Sequence, residues 1–504
     1  MSSKQQKSSN LSRRDFFGTL AAAAAITVVP RKVLGGPGYT QPSDMINVAG
    51  VGVGAQGGGN IRNIASPDEP IGQRPGPGST RFSYPYGGIS QQAAARPAAA
   101  APAAGGGVAD PNAAVQLGAA AASGQRFQHA NIYALCDVDH EYAGHIMAGY
   151  PKAKRYQDYR EMLEKEPEID AVMIATPDHT HAVIASAAMK MGKHVFVEKP
   201  MVKTVHEVRF LRDLARQNSR LVTQVGNQGH NTEGTMRTVE WIRAGAIGNV
   251  TEVHMWSNRP TWRQGWFERP AGVPVPRNMN YDVWLGPAPE KPYHPDVVHF
   301  NWRGLWDYGT GAMGDMGAHT FDAPVWALDL GFPTKIQATS TAFNNEFMPL
   351  GETVTYEFAA RNNMPPVKVT WQDGGLKPAR PSQLEPNRGL RECLYIGDRG
   401  MIMHGTHGAN PELIPGREYS VAPTLPRPSS VYVDFIEAIK EGRQAHNNFE
   451  FASKMNEIML LTNIAVAAQR INLTLEYDAA NMRITNLPEA NDYFHYEYRR
   501  GWSL

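Results

Sequence analysis

Three parts of the chain collect residue types that hold phosphates or move protons. The first is Gly52-Val53-Gly54-Ala55-Gln56-Gly57, a G-x-G-x-x-G run that follows the apolar stretch 46–51. Glycines at this spacing let the backbone approach a pyrophosphate, and the amides of a following helix then face it. Gly52, Gly54, Gln56 and Gly57 are therefore candidate dinucleotide contacts, with the register open because Gly50-Val51-Gly52 also begins a G-x-G. The second part is a pair of turns, Thr176-Pro177-Asp178-His179-Thr180-His181 and Glu198-Lys199-Pro200, each ending an apolar run. Open α/β sheets bind ligands at the carboxyl ends of their strands, so Thr176, Pro177, His181, Glu198 and Lys199 become candidate cofactor contacts. A lysine in that position can bond a reacting hydroxyl, and desolvation would lower its pKa toward a useful range.

The third part runs from Trp302 to His319 and is dense in rings, donors and glycine. On a helix Asp315 and His319 stand at i and i+4 and share a face. Histidine titrates near neutral pH, so His319 is a candidate base for a carbinol proton, and Asp315 is a candidate to orient it or to bind substrate. Trp262, Arg263, Trp284, Tyr293, His294, Trp302, Arg303 and Trp306 could build a sugar platform, because pyranose faces stack on rings while arginine and histidine bond hydroxyls. Asn227 follows a strand near the junction of the two expected domains and is a further cleft candidate. The histidines show no compact ligand spacing such as H-E-x-x-H, so no metal site is expected.

These residues need a frame. Runs 46–51, 131–136, 169–175, 194–197 and 221–225 read as strands separated by helices, which implies a doubly wound parallel sheet covered on both faces, over residues 44–226. Asp137 closes the second of those strands, where an acid holds ribose hydroxyls and repels a 2′-phosphate; NAD is favoured over NADP, with Asp139 in reserve. Residues 66–128 interrupt the pattern: 16 of the 30 residues from Ala93 to Ala122 are alanine, so the segment reads as a largely disordered insertion. From 227 to 504 longer β-branched and aromatic runs predict an antiparallel or mixed sheet with few helices.

The order strand-G-x-G-x-x-G, A-L-C-D-V-D, A-T-P-D-H-T-H and V-E-K-P resembles the Gfo/Idh/MocA oxidoreductases, which include glucose-fructose oxidoreductases and inositol dehydrogenases. The likeness covers residues 45–330 apart from the insertion. It implies a Rossmann domain, a C-terminal α/β domain with an open, mainly antiparallel sheet, and bound NAD or NADP with Lys199 beside nicotinamide and substrate. Asp315 and His319 are similar to the family's D-x-x-x-H pair, whose histidine serves as acid or base. The expected activity is interconversion of alcohol and ketone or lactone on a sugar or polyol. Two alternatives stand beside it: an NAD-dependent glycosidase working by oxidation, elimination, addition and reduction, and a non-catalytic sugar or nucleotide binder.

Bulk properties narrow the partners. Lysine plus arginine (49) nearly cancels aspartate plus glutamate (48) over 504 residues, so no net field attracts nucleic acid, and a small, fairly neutral ligand is expected. Ser12-Arg13-Arg14-Asp15-Phe16-Phe17 and the apolar run 18–29 have the order of a twin-arginine export signal within residues 1–36. That predicts an extracytoplasmic protein with tightly held cofactor and no stable membrane span. The free face of the C-terminal sheet predicts a homo-oligomer.

Overall fold

Strand β1 (Asn47–Val51) is apolar on both faces and belongs inside a sheet covered from two sides. A computed structural model describes residues 45–73, 126–265, 267–471 and 473–504 and places β1 there. The expected signal region, and most of the alanine-rich insertion, lie outside the described residues. Strands β1, β2 (Asn131–Cys136), β3 (Lys154–Tyr156), β4 (Ala171–Ile174), β5 (His194–Val197) and β6 (Thr223–Val225) form an all-parallel sheet in the order β3-β2-β1-β4-β5-β6. The order reverses between β1 and β4, which opens a crevice at the carboxyl edge.

Helices α1 (Gln56–Ile64), α2 (Gly144–Gly149), α3 (Tyr159–Lys165), α4 (Asp178–Lys190) and α5 (Val205–Gln217) connect these strands. Helix α5 starts on a reciprocal cap in which Thr204 accepts from the Glu207 amide and Glu207 accepts from that of Thr204. The neck of the insertion is fastened. Ala65 bridges Gln128, Ser66 N donates to Phe127 O at 2.9 Å, and Arg126 pairs with Asp68 at 2.9 Å. Because α1 has carried the chain back across the sheet, this neck sits at the amino edge, away from the crevice.

After α6 (Glu233–Arg243) the chain builds a second sheet from β7 (Val250–Trp256), β8 (Lys335–Ser340), β9 (Glu352–Phe358), β10 (Val367–Gln372), β11 (Cys393–Gly397), β12 (Gly400–Gly405), β13 (Ala409–Ile414), β14 (Leu475–Asp478) and β15 (Arg483–Ile484). Its order is β13-β12-β11-β7-β10-β9-β8-β14-β15, and the β7–β10 pair is parallel while the other pairs are antiparallel. Side chains alternate along β9, with Val354, Tyr356 and Phe358 buried and Glu357 exposed. Helices α7 (Tyr281–Leu285), α8 (Ala318–Thr320) and α9 (Asp322–Ala327) lie on the long connection between β7 and β8.

The chain then returns to the first sheet. Tyr432 and Phe435 of α10 (Val431–Glu441) pack on Phe196 of β5, with ring centroids 5.6 and 5.8 Å away. Arg209 of α5 forks onto Glu457 of α11 (Phe449–Ala467) at 2.8 and 2.6 Å. Ile46–Leu504 is consequently one compact unit, and residue 226 marks a change of sheet rather than a gap between bodies. Cys136 and Cys393 are buried free thiols, and no helix among the described residues is long and apolar enough to cross a membrane.

Candidate active site

A cavity of about 400 Å³ opens at the carboxyl edge of the parallel sheet. One wall is the turn after β1. Gly52 has φ +79°, and a Cβ there would stand 2.8 Å from the Ala175 carbonyl, so the ends of β1 and β4 meet only because this residue is glycine. Gly50 lies within β1, which fixes the register of the motif on Gly52, Gly54 and Gly57. Gly57 stands behind the lining, where a Cβ would overlap the Gly52 carbonyl oxygen; its part is to let α1 close on the turn.

The cavity has the features a dinucleotide needs. Helix α1 begins with no side-chain cap, and Gly54, Ala55 and Gln56 line the cavity, leaving uncapped N–H groups at a positive helix end. Asp137 lines the same end, accepting from Gly54 N at 2.9 Å and Asp139 N at 3.1 Å. Burial raises its pKa while those amides oppose the rise. Asp139 is committed elsewhere, accepting from the Glu141 and Tyr142 amides and meeting His299 at 3.1 Å. Thr176 and Pro177 line the floor. Glu198 accepts from Asn60 at 3.0 Å and from Gln56 at 3.4 Å, which braces α1 against the end of β5. Its pKa is raised by burial, against the pull of Lys199. His181 does not line the cavity: its ring lies between Pro200 O (2.9 Å) and Thr176 O (2.8 Å) and ties the two strand-end turns together.

At the other end Lys199 Nζ donates to both Asp315 Oδ1 and Asp315 O at 3.0 Å. Arg303 Nε and Arg259 Nε stand 3.5 and 3.7 Å from the same carboxylate. Burial would raise the Asp315 pKa, but Lys199, Arg303 and Arg259 together hold it far below the usual carboxylate range. Arg303 also reaches Asp178 at 3.2 Å, and its guanidinium lies 4.5 Å over the Trp302 ring and 5.8 Å over Trp262.

Asp315 and His319 do not pair as an α-helical spacing predicts. Met313–Gly317 forms a π-helical turn, a widening common at functional sites. Asp315 turns to Lys199, while His319 packs against His407 at a ring distance of 4.0 Å. His319 is buried behind the lining, and its Nδ1 has no hydrogen-bond partner among the described residues. Its pKa falls well below 6.5, first through burial, then through His407 and the nearby cations.

Several expected platform residues have structural employment outside the cavity. Asn227 donates to Ala318 O at 2.9 Å. Tyr293 packs edge-on to Tyr281, His294 Nδ1 accepts from the Asp296 amide, and Trp306 donates to Asn344 O. Arg263 stands 3.9 Å from Asp296. Apart from Asn227, which follows β6, each sits on the β7–β8 connection, whose path no local pattern fixes. The same connection supplies Arg259, Trp284 and His299 to the cavity, and β2 is followed by Tyr142, stacked on His299 at 4.0 Å. Trp284 is one of the expected platform rings, whereas Arg259, His299, Tyr142 and His407 carry no motif that would have singled them out.

The comparisons with known proteins agree with this geometry. A model described as an oxidoreductase family with an NAD-binding Rossmann fold matches residues 109–226, and its companion, the C-terminal alpha/beta domain, matches 240–363 and 387–504. The first match starts beyond the glycine turn, so the turn's place in the fold comes from the structure. A levoglucosan dehydrogenase of Pseudarthrobacter phenanthrenivorans is 30% identical over 165 residues, 33% of this chain and 34% of that protein. A glycosyl hydrolase family 109 protein of Shewanella amazonensis is 35% identical over 130 residues, 24% of this chain and 28% of that protein. The chain thus spans about a third of the length of the curated relatives it matches. GenD2 from gentamicin A biosynthesis, solved in complex with NAD, shares the fold at a TM-score of 0.50 and 16% identity, covering 88% of this chain and 99% of that one. The chain belongs to the Gfo/Idh/MocA oxidoreductases, with an NAD-binding Rossmann domain and the family's C-terminal α/β domain.

Proposed function

We propose that the protein is an NAD-dependent dehydrogenase that interconverts a secondary alcohol and a ketone, or a hemiacetal and a lactone, on a sugar or polyol. The observation that carries this reading is Lys199, anchored by Asp315 in the same cavity whose opposite end is the glycine turn. Gly52, Gly54, Ala55 and Gln56 would hold the pyrophosphate, and Asp137 the ribose hydroxyls, which disfavours a 2′-phosphate. Bound NAD supplies the acceptor for the two electrons that leave the carbinol carbon. Lys199 donates a hydrogen bond to the reacting oxygen, and Asp315 fixes the ammonium for that task. His319, neutral through burial and set behind the lining, is a nitrogen base that substrate binding must bring within reach of the hydroxyl proton. Trp302 and Trp262 back Arg303 and exclude water from the substrate end.

The test is a titration of the purified protein with NADH and NADPH, followed by a screen of sugars and polyols for absorbance change at the nicotinamide band. A folded protein with no affinity for either coenzyme refutes the proposal. The likeness to a family 109 hydrolase favours a second reading, transient oxidation with release of an aglycone. Aryl alcohol released from an aryl glycoside without net NADH change would select it.

The export reading is part of the same proposal: Arg13 and Arg14 direct a folded, cofactor-loaded protein out of the cytoplasm. Replacing both by lysine should trap it inside, and an unchanged extracytoplasmic fraction refutes this. Self-association through the outer face of the second sheet, where Thr353, Thr355 and Lys368 point outward, is tested by sedimentation.

A further inference from the structure

Tyr142 and His299 come from distant parts of the chain and meet at the cofactor end of the cavity. Tyr142 follows β2, His299 lies on the β7–β8 connection, and their rings stack with centroids 4.0 Å apart and planes 12° from parallel. Both line the cavity. The Tyr142 ring also rests on the glycine turn: a Cβ on Gly54 would overlap the edge of that ring and stand 3.4 Å from Asp137 Oδ2. Ring, glycine and acid therefore share one place, the end where the turn and Asp137 would hold pyrophosphate and ribose.

The pair is fixed from several sides. His299 Nε2 meets Asp139 Oδ2 at 3.1 Å, and Asp139 Oδ1 accepts from the Tyr142 amide at 3.0 Å, so one carboxylate holds both residues. With the His299 and Asp139 side chains 12% and 9% exposed, solvent screens that contact little. His299 has φ +72°, a left-handed backbone that residues other than glycine seldom adopt, and such strain persists only where the surroundings over-determine it. The stretch leading to His299 is sewn to the loop after β2. Met279 bridges Asp139, Asn280 N donates to Val138 O at 2.8 Å, and Asn278 Nδ2 donates to Asp139 Oδ1 and Glu141 Oε2, both at 3.0 Å. From there the same connection walls the cavity through His299 and Phe300 to Trp302 and Arg303 at the substrate end.

We propose that Tyr142 and His299 are a clasp on the coenzyme: the two rings close over its adenosine half, and coenzyme is exchanged when they part. Opening must break the ring stack and the Asp139–His299 contact together, so the closed arrangement has discrete contacts to lose. A clasp of this kind slows entry and exit alike, and governs how long the coenzyme stays more than how strongly the glycine turn holds it. The proposal rests on the dehydrogenase reading above and adds two residues to its coenzyme site.

The experiment follows NADH fluorescence by stopped flow on the full-length protein, with release read by chasing the complex with excess NAD and circular dichroism verifying the fold. Tyr142→Ala and, separately, His299→Gly, which removes the ring and relieves the backbone, should each raise the release rate constant by about tenfold or more. Association should quicken in the same variants, so that Kd moves less than the release rate. Tyr142→Phe keeps the stack and should release NADH within about threefold of the parent. Asp139→Asn keeps an acceptor for the Tyr142 amide but loosens the hold on His299; it should give an intermediate rise, and it carries the test if a ring variant fails to fold. The proposal is overturned if the folded variants release NADH within about threefold of the parent, or if they weaken binding through slower association alone. Unchanged release removes the clasp and leaves the dehydrogenase standing; a parent protein that binds neither NADH nor NADPH removes both.

Discussion

Helix α1 contains a matched pair of glycines that separates cofactor binding from helix stability. A Cβ on Gly57 would overlap the Gly52 carbonyl oxygen and lie 3.1 Å from the Ala175 Cβ, whereas one on Gly59 meets nothing within 4 Å. Gly57→Ala must therefore push the start of α1 off the turn by roughly an ångström, carrying the uncapped amides at Ala55 and Gln56 with it. A displacement of that size costs about a hundredfold where geometry is tight, or ~2.7 kcal/mol of coenzyme affinity. Gly59→Ala should leave affinity unchanged and add up to ~1 kcal/mol of stability, since alanine is the better helix former. The assay is NADH titration by fluorescence after removal of bound cofactor, with circular dichroism to verify folding. The reasoning is wrong if folded Gly57→Ala binds NADH within about threefold of the parent, or if Gly59→Ala loses as much.

Further outcomes follow from the same contacts. Asp315→Asn leaves Lys199, Arg259 and Arg303 facing one another in a cavity where their side chains are 14%, 22% and 17% exposed. Asn no longer fixes the Lys199 ammonium by charge, and misplacing a group at the reacting atoms costs about a hundredfold, so kcat/KM should fall by about that factor with NADH affinity retained; steady-state kinetics beside a binding titration check this. Because His319 is neutral through burial, kcat/KM should stay level as pH falls to 6.5 and drop only below it; a limb midpoint at or above 6.5 would exclude His319 as the base. Glu352 and Asp373 are buried together, and burial raises both pKa values, so the folded state keeps protons that the unfolded chain has lost above about pH 4.5. Their contribution is full below that pH and lost as pH rises toward 8, so Glu352→Gln should gain stability relative to the parent at pH 8 but not at pH 5, measured by thermal unfolding. Joining residue 73 to residue 126 by a short turn should preserve coenzyme binding and melting temperature, because the neck is already fastened by Ala65, Ser66 and Arg126.

Much of the first sheet was legible because its signals are local. The runs at 131–136 and 194–197 match β2 and β5 in full, since parallel strands buried on both faces read as unbroken apolar stretches. β3 escaped notice because Lys154 and Arg155 on this edge strand are exposed. β12 and β13 were missed for another reason: Gly400, Gly405 and Pro411 break any apolar alternation, and pairing with β11 decides their conformation. In the site, residues tied to strand ends, such as Asp137 and Lys199, could be placed from their motifs. Asp315 could be chosen but not aimed, because a π-helical turn replaces the α-helical register assumed for it. Arg259 was invisible, its position depending on a long connection that only tertiary contacts arrange.

The return of the chain to its first sheet bears on how the molecule is made. Arg209 and Glu457 are 248 positions apart, and the rings that cover Phe196 belong to residues 432 and 435. A ribosome that has released only the nucleotide-binding half has produced a sheet with one apolar flank still bare, and that flank must wait for α10. Nascent chains of this protein should therefore depend on chaperones until synthesis is nearly finished, and truncation before residue 430 should yield aggregate rather than a smaller soluble domain.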